Sequence, residues 1–119
     1  MIYLGADKHG LEVVGMIETY LKENKIPYQN LGVKTIKENI LLEDLIPKVA
    51  TKILGLENNK GILICGTGIG ITIGANKIKG IRANLATDKT IAEWSVVYDN
   101  CNVLCLSGWN PDKKMLKKS

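Results

Sequence analysis

The stretch that decides the fold is Gly-Ile-Leu-Ile-Cys-Gly-Thr-Gly-Ile-Gly, residues 61–70. Its first half, Gly61 to Cys65, is a continuous apolar run, which is typical of a central β-strand covered on both faces. Its second half carries three glycines in five residues, and the apolar segment Ile71–Ile78 that follows has the length of a short helix. The stretch therefore predicts a buried strand, a tight glycine turn and a helix directly after it.

On both sides of this stretch, short apolar runs alternate with longer amphipathic segments. This alternation predicts an α/β protein, a three-layer doubly wound fold with a parallel five-stranded sheet, which is a Rossmann-like architecture. The other predicted strands are Ile2–Ala6, Tyr28–Leu31, Arg82–Ala86 and Val103–Ser107, and the other predicted helices are Leu11 to about Asn24, Leu41–Leu56 and Lys89–Tyr98. Pro47 is expected to start or kink a helical segment. In the last helix Ile91, Trp94 and Val97 fall on one side.

The composition is ordinary for a globular protein, and the length predicts a single domain spanning residues 1–119. The 119 residues are 45% hydrophobic and 24% charged. No apolar run is long enough for a membrane span and no leader pattern begins the chain, so we expect a cytoplasmic protein without a membrane partner. Three cysteines without a CxxC pair, and one histidine, favour free thiols in a reducing compartment and predict no metal site.

The net charge of +4 raises the question of a nucleic-acid partner. Much of this charge lies in a basic tail at Lys113, Lys114, Lys117 and Lys118, and aromatic residues are not interleaved with basic ones as in single-strand binders. We therefore expect a solvated tail and no nucleic-acid partner, while anionic small molecules would still be attracted.

The glycine turn could hold an anion. Glycines allow a ligand to approach the backbone, and a helix N-terminus presents N–H groups and a favourable dipole to a phosphate or an enediolate oxygen. Thr67 adds a hydroxyl donor. The alternative is a tight strand–helix connection that binds nothing. The sequence lacks the lysine of a Walker A loop, and its glycine spacing does not fit the dinucleotide fingerprint.

Cys65 is the reactive candidate, since a helix N-terminus favours the thiolate form of a neighbouring cysteine. Such a thiolate could take a proton from a carbon next to a carbonyl group, while the loop N–H groups stabilise the charge that develops on oxygen. The alternative, which we expect for Cys101 and Cys105, is a small buried apolar residue.

A second polar group, Asp7-Lys8-His9, follows the first strand. Asp7 could orient sugar hydroxyls, Lys8 could meet a phosphate, and His9 is placed for proton transfer. Asp7 could equally cap the helix that begins near Leu11, and His9 could simply be solvated. Tyr98 and Asp99, at the end of the fourth helix, could belong to the surface or to the site.

These residues resemble one known family. Residues 64–83, ICGTGIGITIGANKIKGIRA, are similar to the signature of the ribose-5-phosphate isomerase B and galactose-6-phosphate isomerase family; GADKHG near the start and NVLCLSG near the end resemble two more of its segments. The resemblance covers roughly residues 1 to 109. It implies aldose–ketose isomerisation of a small phosphorylated sugar through an enediolate, without metal or cofactor. It also implies a homodimer or higher homo-oligomer with sites shared between subunits.

Carried over onto this sequence, the resemblance makes Cys65 the catalytic base, residues 66–70 the anion-holding loop and Asp7 a substrate-binding residue. Together with the chemistry of the neighbouring side chains, this gives the expected site: Cys65, Thr67 and Tyr98 as catalytic residues, and Asp7, Lys8, His9, Gly66, Gly68, Ile69, Gly70 and Asp99 as substrate-binding residues.

The chain also departs from the family pattern. Lys8 and Tyr98 stand where the family has histidines, Asp99 where it has asparagine and Trp109 where it has arginine, and the basic tail from about residue 110 is shorter than the family's C-terminal helix. Three explanations stay open: a substrate that is already open-chain, a related subunit that supplies missing groups in a heteromer, or a non-catalytic protein that binds sugar phosphates on the same fold.

Overall fold

In a computed structural model, which describes residues 1–112, the chain forms five strands and four helices in the predicted alternation. The predicted basic tail at Lys113 and beyond lies outside the described residues. The elements in chain order are β1 Ile2–Ala6, a single 3-10 turn Lys8–Gly10, α1 Leu11–Glu23, β2 Tyr28–Asn30, α2 Leu42–Ile53, β3 Lys60–Cys65, α3 Ile69–Asn76, β4 Ala83–Leu85, α4 Lys89–Val97 and β5 Val103–Ser107. The predicted fold class is confirmed.

All five strands are parallel, in the order β2-β1-β3-β5-β4. β3 therefore lies at the centre, as its continuous apolar sequence predicts, with β1 and β5 as neighbours. In the register Gly61 pairs with Val103 and Cys65 with Ser107, so β3 and β5 end together. The loops that follow β1, β3 and β5 consequently meet at one edge of the sheet, which is called the carboxyl edge below.

Two apolar cores cover the two faces of the sheet. One core packs α2 and α3 on the face that carries Leu63, Cys65 and Cys105. The other packs α1 and α4 on the face that carries Ile64 and Leu106. Because successive side chains of a strand point to opposite faces, Cys65 and its neighbour Ile64 belong to different cores.

The fourth helix differs from what its apolar pattern implies. Trp94 and Val97, on its apolar side, are 53% and 73% exposed, while Ser95 is its buried residue. The buried position of α4 is thus held by a small residue, while Trp94, Val96 and Val97 lie on the surface.

Pro47 lies inside α2, where the helix continues through it from Leu42, so the prediction that Pro47 starts a helix is wrong. Within residues 1–112, none of the helices has the length and apolar content that a membrane crossing requires. In the same part of the chain, no three side chains of the histidine, cysteine or acidic types are grouped closely enough to bind a metal ion.

Candidate active site

Backbone hydrogen bonds tie the three loops at the carboxyl edge into one unit. The N–H of Asp7 donates to the carbonyl of Ile64 at 3.2 Å, the N–H of Gly108 to the carbonyl of Cys65 at 2.8 Å, and the N–H of Trp109 to the carbonyl of Gly66 at 3.0 Å. The hydroxyl of Ser107 also donates to the Gly66 carbonyl, at 2.8 Å. The loops after β1 and β5 are thus held against the loop that follows β3.

Two of the three glycines in the loop after β3 leave no room for a Cβ in the present arrangement of their neighbours. Gly68 has a φ of +79°, and a Cβ there would lie 2.6 Å from Leu85 and 3.0 Å from the Leu106 carbonyl. A Cβ at Gly66 would lie 2.6–2.8 Å from three carbons of the Trp109 ring. At Gly70 a Cβ would meet only Leu42, at an ordinary 3.6 Å, so the space beside Gly70 is open.

The N-terminus of α3 leaves backbone donors at the carboxyl edge. The N–H of Ile69 donates to the hydroxyl oxygen of Thr67 at 3.1 Å, so Thr67 helps to fix the turn. The N–H groups of Gly68 and Gly70 have no protein acceptor among the residues that the structure describes. Helix N-termini with unpaired N–H groups attract anions, because the helix dipole adds to the hydrogen bonds.

Cys65 combines the two predicted alternatives, a thiol near a helix N-terminus and a small buried residue. It is the last residue of β3, directly before the glycine turn, yet only 5% of it is exposed and it belongs to the core shared with α2 and α3. Ile40 and Leu42, from the segment that leads into α2, pack against that core. On this face of the sheet the space beside Gly70 is open, with only Leu42 close to it.

Cys101 and Cys105 are buried, as the sequence predicts. Burial raises the pKa of the Cys105 thiol to about 12, despite an opposing hydrogen bond with Thr72. Burial also raises the pKa of Cys101. Cys105 is therefore a neutral thiol at physiological pH, on the same face of the sheet as Cys65.

The polar residues after β1 form a hydrogen bond within their own segment. Asp7 is 9% exposed, and its Oδ1 accepts the N–H of His9 at 3.0 Å, so it caps the 3-10 turn that precedes α1. The N–H of Lys8 reaches Oδ1 of Asn39 at 3.5 Å, in the segment before α2. The sequence gives no signal for this contact, because a polar residue in a long loop carries no pattern of its own. The exposed side chains of Lys8 and His9 remain available at this edge.

Trp109 stands between these loops. Its ring lies edge-to-face against His9, with centroids 5.1 Å apart and an interplanar angle of 66°, and the residue is 64% exposed. A cavity of about 300 Å³ borders Trp109, lined also by Thr67, Ser107 and core residues of the α1 and α4 face such as Val13. Val13, Ala86 and Leu106 of its lining belong to the core on the α1 and α4 face, whereas Cys65 belongs to the other core.

Tyr98 and Asp99 are not brought to the carboxyl edge within one chain. Both follow the last residue of α4, whose direction is opposite to that of the strands. The carbonyl of Asn100 accepts a bond from Arg82, before β4, and the carbonyl of Asn102 accepts one from Gly61, near the start of β3. This segment therefore follows the amino edge of the sheet, about 16 Å from the glycine loop at the rise of a five-residue strand.

Comparison with known proteins adds to this geometry. A family model described as Ribose/Galactose Isomerase matches residues 2–118. The probable ribose-5-phosphate isomerase B of Mycoplasma pneumoniae is 37% identical over 106 residues, which cover 89% of this chain and 70% of that protein. The chain belongs to the ribose/galactose isomerase family.

Two further members place the chain within this family. The structure of ribose-5-phosphate isomerase B from Mycoplasma genitalium with bound ribulose-5-phosphate superimposes with a TM-score of 0.87 at 34% identity, covering 96% of this chain and 76% of that one. The galactose-6-phosphate isomerase subunit LacB of Clostridium acetobutylicum is 44% identical over 59 residues, 50% of this chain and 34% of that protein. The resemblance inferred from residues 64–83 is confirmed, while the roles of individual site residues stay predictions.

Proposed function

We propose that the protein is an aldose–ketose isomerase of a small phosphorylated sugar, and that Cys65 is its catalytic base. The observation that carries this proposal is the position of Cys65, at the end of β3 and three residues before the N-cap of α3, Gly68. Among residues 1–112 the N–H groups of Gly68 and Gly70 have no protein acceptor, so a proton-accepting atom and anion-binding donors belong to one short turn. Family membership supports the reaction class, since the named relatives are isomerases of ribose and galactose phosphates.

The reaction requires one proton to move between adjacent carbons. The Cys65 thiolate takes the proton from the carbon next to the carbonyl group, and the electron pair moves onto the carbonyl oxygen to give an enediolate. The N–H groups of Gly68 and Gly70 stabilise that negative oxygen. The thiol then returns its proton to the former carbonyl carbon, while the hydroxyl proton moves to the other oxygen. One carbon is oxidised and its neighbour reduced, so the step balances without an external oxidant.

The other predicted residues take supporting roles in this proposal. Thr67 holds the turn through Ile69, and Asp7 presents its second carboxylate oxygen to sugar hydroxyls. Lys8 and His9 supply positive charge and a proton-transfer group from the loop after β1. Each of these side chains lies on the carboxyl edge of the same chain as Cys65.

We further propose that Tyr98 and Asp99 act from a second copy of the chain. On α4 and at its end, Trp94, Val97 and Tyr98 are 53–76% exposed, an apolar surface that a homodimer would bury. A partner docked through this surface could bring its Tyr98 towards a glycine loop. The similarity to a galactose-6-phosphate isomerase subunit makes a related chain the alternative partner.

The experiment is to compare Cys65→Ala with Cys105→Ala, a control in which an equally buried thiol on the same face is removed. Proton NMR of ribose 5-phosphate and galactose 6-phosphate in D2O would report exchange at the carbon beside the carbonyl. We expect wild type and Cys105→Ala to show exchange and turnover, and Cys65→Ala to lose both by roughly a hundredfold or more. Exchange at the wild-type rate in Cys65→Ala would remove Cys65 as the base.

The same panel tests the non-catalytic alternative. A protein that only binds sugar phosphates would be stabilised against heat by RT ln(1 + [L]/Kd) but would produce neither exchange nor product. Turnover by the purified single chain would exclude that alternative, and turnover only after a second, related chain is added would favour the heteromer.

A further inference from the structure

Trp109 is held in place at the carboxyl edge, yet most of its surface faces solvent. Its N–H donates to the Gly66 carbonyl at 3.0 Å, and the next residue, Asn110, donates its N–H to the Ser107 hydroxyl at 2.9 Å. The ring packs on Gly66 and meets His9, but 64% of the residue is exposed. Because backbone hydrogen bonds hold Trp109 and Asn110 in place, the exposed ring loses little conformational entropy when a ligand binds to it.

The place of this ring relative to Cys65 limits what it can contact. Gly66 directly follows Cys65, so the ring lies over the residue next to the proposed base. His9 packs on the same ring from the loop after β1. A substrate whose reacting carbons lie at Cys65 and whose remaining carbons extend towards Lys8 and His9 would meet the indole with its distal part.

We infer that Trp109 is a specificity-determining residue that closes the distal end of the site and limits the carbon chain of the substrate. This inference rests on the proposed function, which it deepens by stating the substrate class: pentose phosphates are preferred over hexose phosphates. The indole presents an apolar face to the C–H groups of the sugar chain and occupies the volume that one more CHOH unit needs. The family includes both ribose and galactose isomerases, so chain length is a property that members must set.

The first test is a series of variants in which this side chain becomes smaller, Trp109→Phe, Trp109→Leu and Trp109→Ala. The ratio of kcat/KM for a hexose phosphate to that for a pentose phosphate should rise along the series, by roughly tenfold or more in Trp109→Ala, as expected when room for one carbon unit is created. The rise should come mainly from a lower KM for the hexose phosphate. A ratio that stays constant, or a loss of kcat for both sugars alike, would overturn the inference.

A second test does not depend on turnover. The chain has two tryptophans, so Trp94→Phe leaves Trp109 as the single indole reporter, and Trp109→Phe is the matched control that leaves Trp94. Ribulose 5-phosphate should change the emission of Trp109 and leave that of Trp94 unchanged. The ratio of dissociation constants for hexose and pentose phosphates, measured by thermal shift, should fall in Trp109→Ala.

The two proposals fail in different ways. If wild type binds sugar phosphates with the expected emission change but turns none over, the proposed isomerase fails and Trp109 keeps its role in selection. If wild type turns over a sugar phosphate while the emission of Trp109 stays constant, the isomerase stands and the inference about Trp109 is wrong.

Discussion

The predicted site has two parts, the loop after β3 and the end of α4, and within one chain they lie at opposite edges of the sheet. The loop after β3 is bound to the loops after β1 and β5 by four hydrogen bonds, in which Asp7, Gly108, Trp109 and Ser107 are the donors. Tyr98, at the end of α4, is 76% exposed and lies at the opposite edge of the sheet. The proposed base, Thr67 and the proposed anion-binding loop therefore lie together within one chain, whereas Tyr98 and Asp99 would reach this site only from a second chain.

The largest expected effect is complementation between two inactive variants, Cys65→Ala and Tyr98→Phe. If Tyr98 serves the partner's glycine loop, each heterodimer of the two variants contains one site with both Cys65 and Tyr98. An equal mixture should then regain about a quarter of wild-type activity, because half of randomly assorted C2 dimers are mixed and each has one intact site. Activity is measured after subunit exchange.

The control mixture is Cys65→Ala with Thr67→Ala. Both positions lie on one glycine loop, so mixing cannot restore a site and no activity should return. An inactive mixture of Cys65→Ala and Tyr98→Phe, under conditions in which heterodimers form, would contradict sharing of the site.

The second expected effect is loss of the dimer in Val97→Lys. Val97 is 73% exposed in one chain, and a charge buried there in a dimer would cost roughly 2 kcal/mol or more of association free energy. Light scattering across a concentration series measures the shift towards monomer. Leu56→Lys is the matched control, since Leu56 is 71% exposed outside α4 and should leave the dimer intact. Equal association in the two variants would place the interface elsewhere.

The sequence predicts the carboxyl edge better than the rest of the surface, for physical reasons. β1 and β5 are predicted to the residue, because a strand buried in a parallel sheet is a continuous apolar run bounded by polar or glycine residues. The glycine turn is predictable too, since Gly68 has a backbone conformation that other residues adopt only with strain.

The sequence does not show whether an apolar helix face packs on the sheet or lies on the surface of the chain. Trp94 and Val97 have the periodicity of a core face, but in the structure α4 turns Ser95 to the sheet and leaves both on the surface. Asp7 shows a second limit, because one carboxylate can cap a turn with one oxygen and meet a ligand with the other. The pattern indicates both roles and selects neither.

The third expected effect separates two glycines of the loop by stability. Gly68→Ala should lower the free energy of unfolding by about 2 kcal/mol, because it adds left-handed strain and contacts with Leu85 and the Leu106 carbonyl. Gly70→Ala should be neutral or stabilising by up to about 1 kcal/mol, since it has room and lies in a helix. Urea unfolding measures both.

We also expect the substrate to reach Cys65 through the open space beside Gly70. The KM of Gly70→Ala for the sugar phosphate should then rise although the fold is intact, and an unchanged KM would contradict this route.

The smallest expected effect concerns Cys105, the interior counterpart of Cys65 on the same face of the sheet. Its pKa is raised by burial from 9.0 to about 12, so the folded protein keeps this thiol protonated at pH values where the unfolded chain ionises it. The stabilisation is fully present below pH 9 and is lost as pH rises through 9 to 12, because the unfolded state then binds fewer protons. Between pH 7.5 and 9.5 this one group should lower the free energy of unfolding by about 0.8 kcal/mol. Urea unfolding under reducing conditions should show that loss in wild type, and a correspondingly smaller one in Cys105→Ala. Equal losses in the two proteins would mean that Cys105 ionises in the folded state as readily as in the unfolded chain.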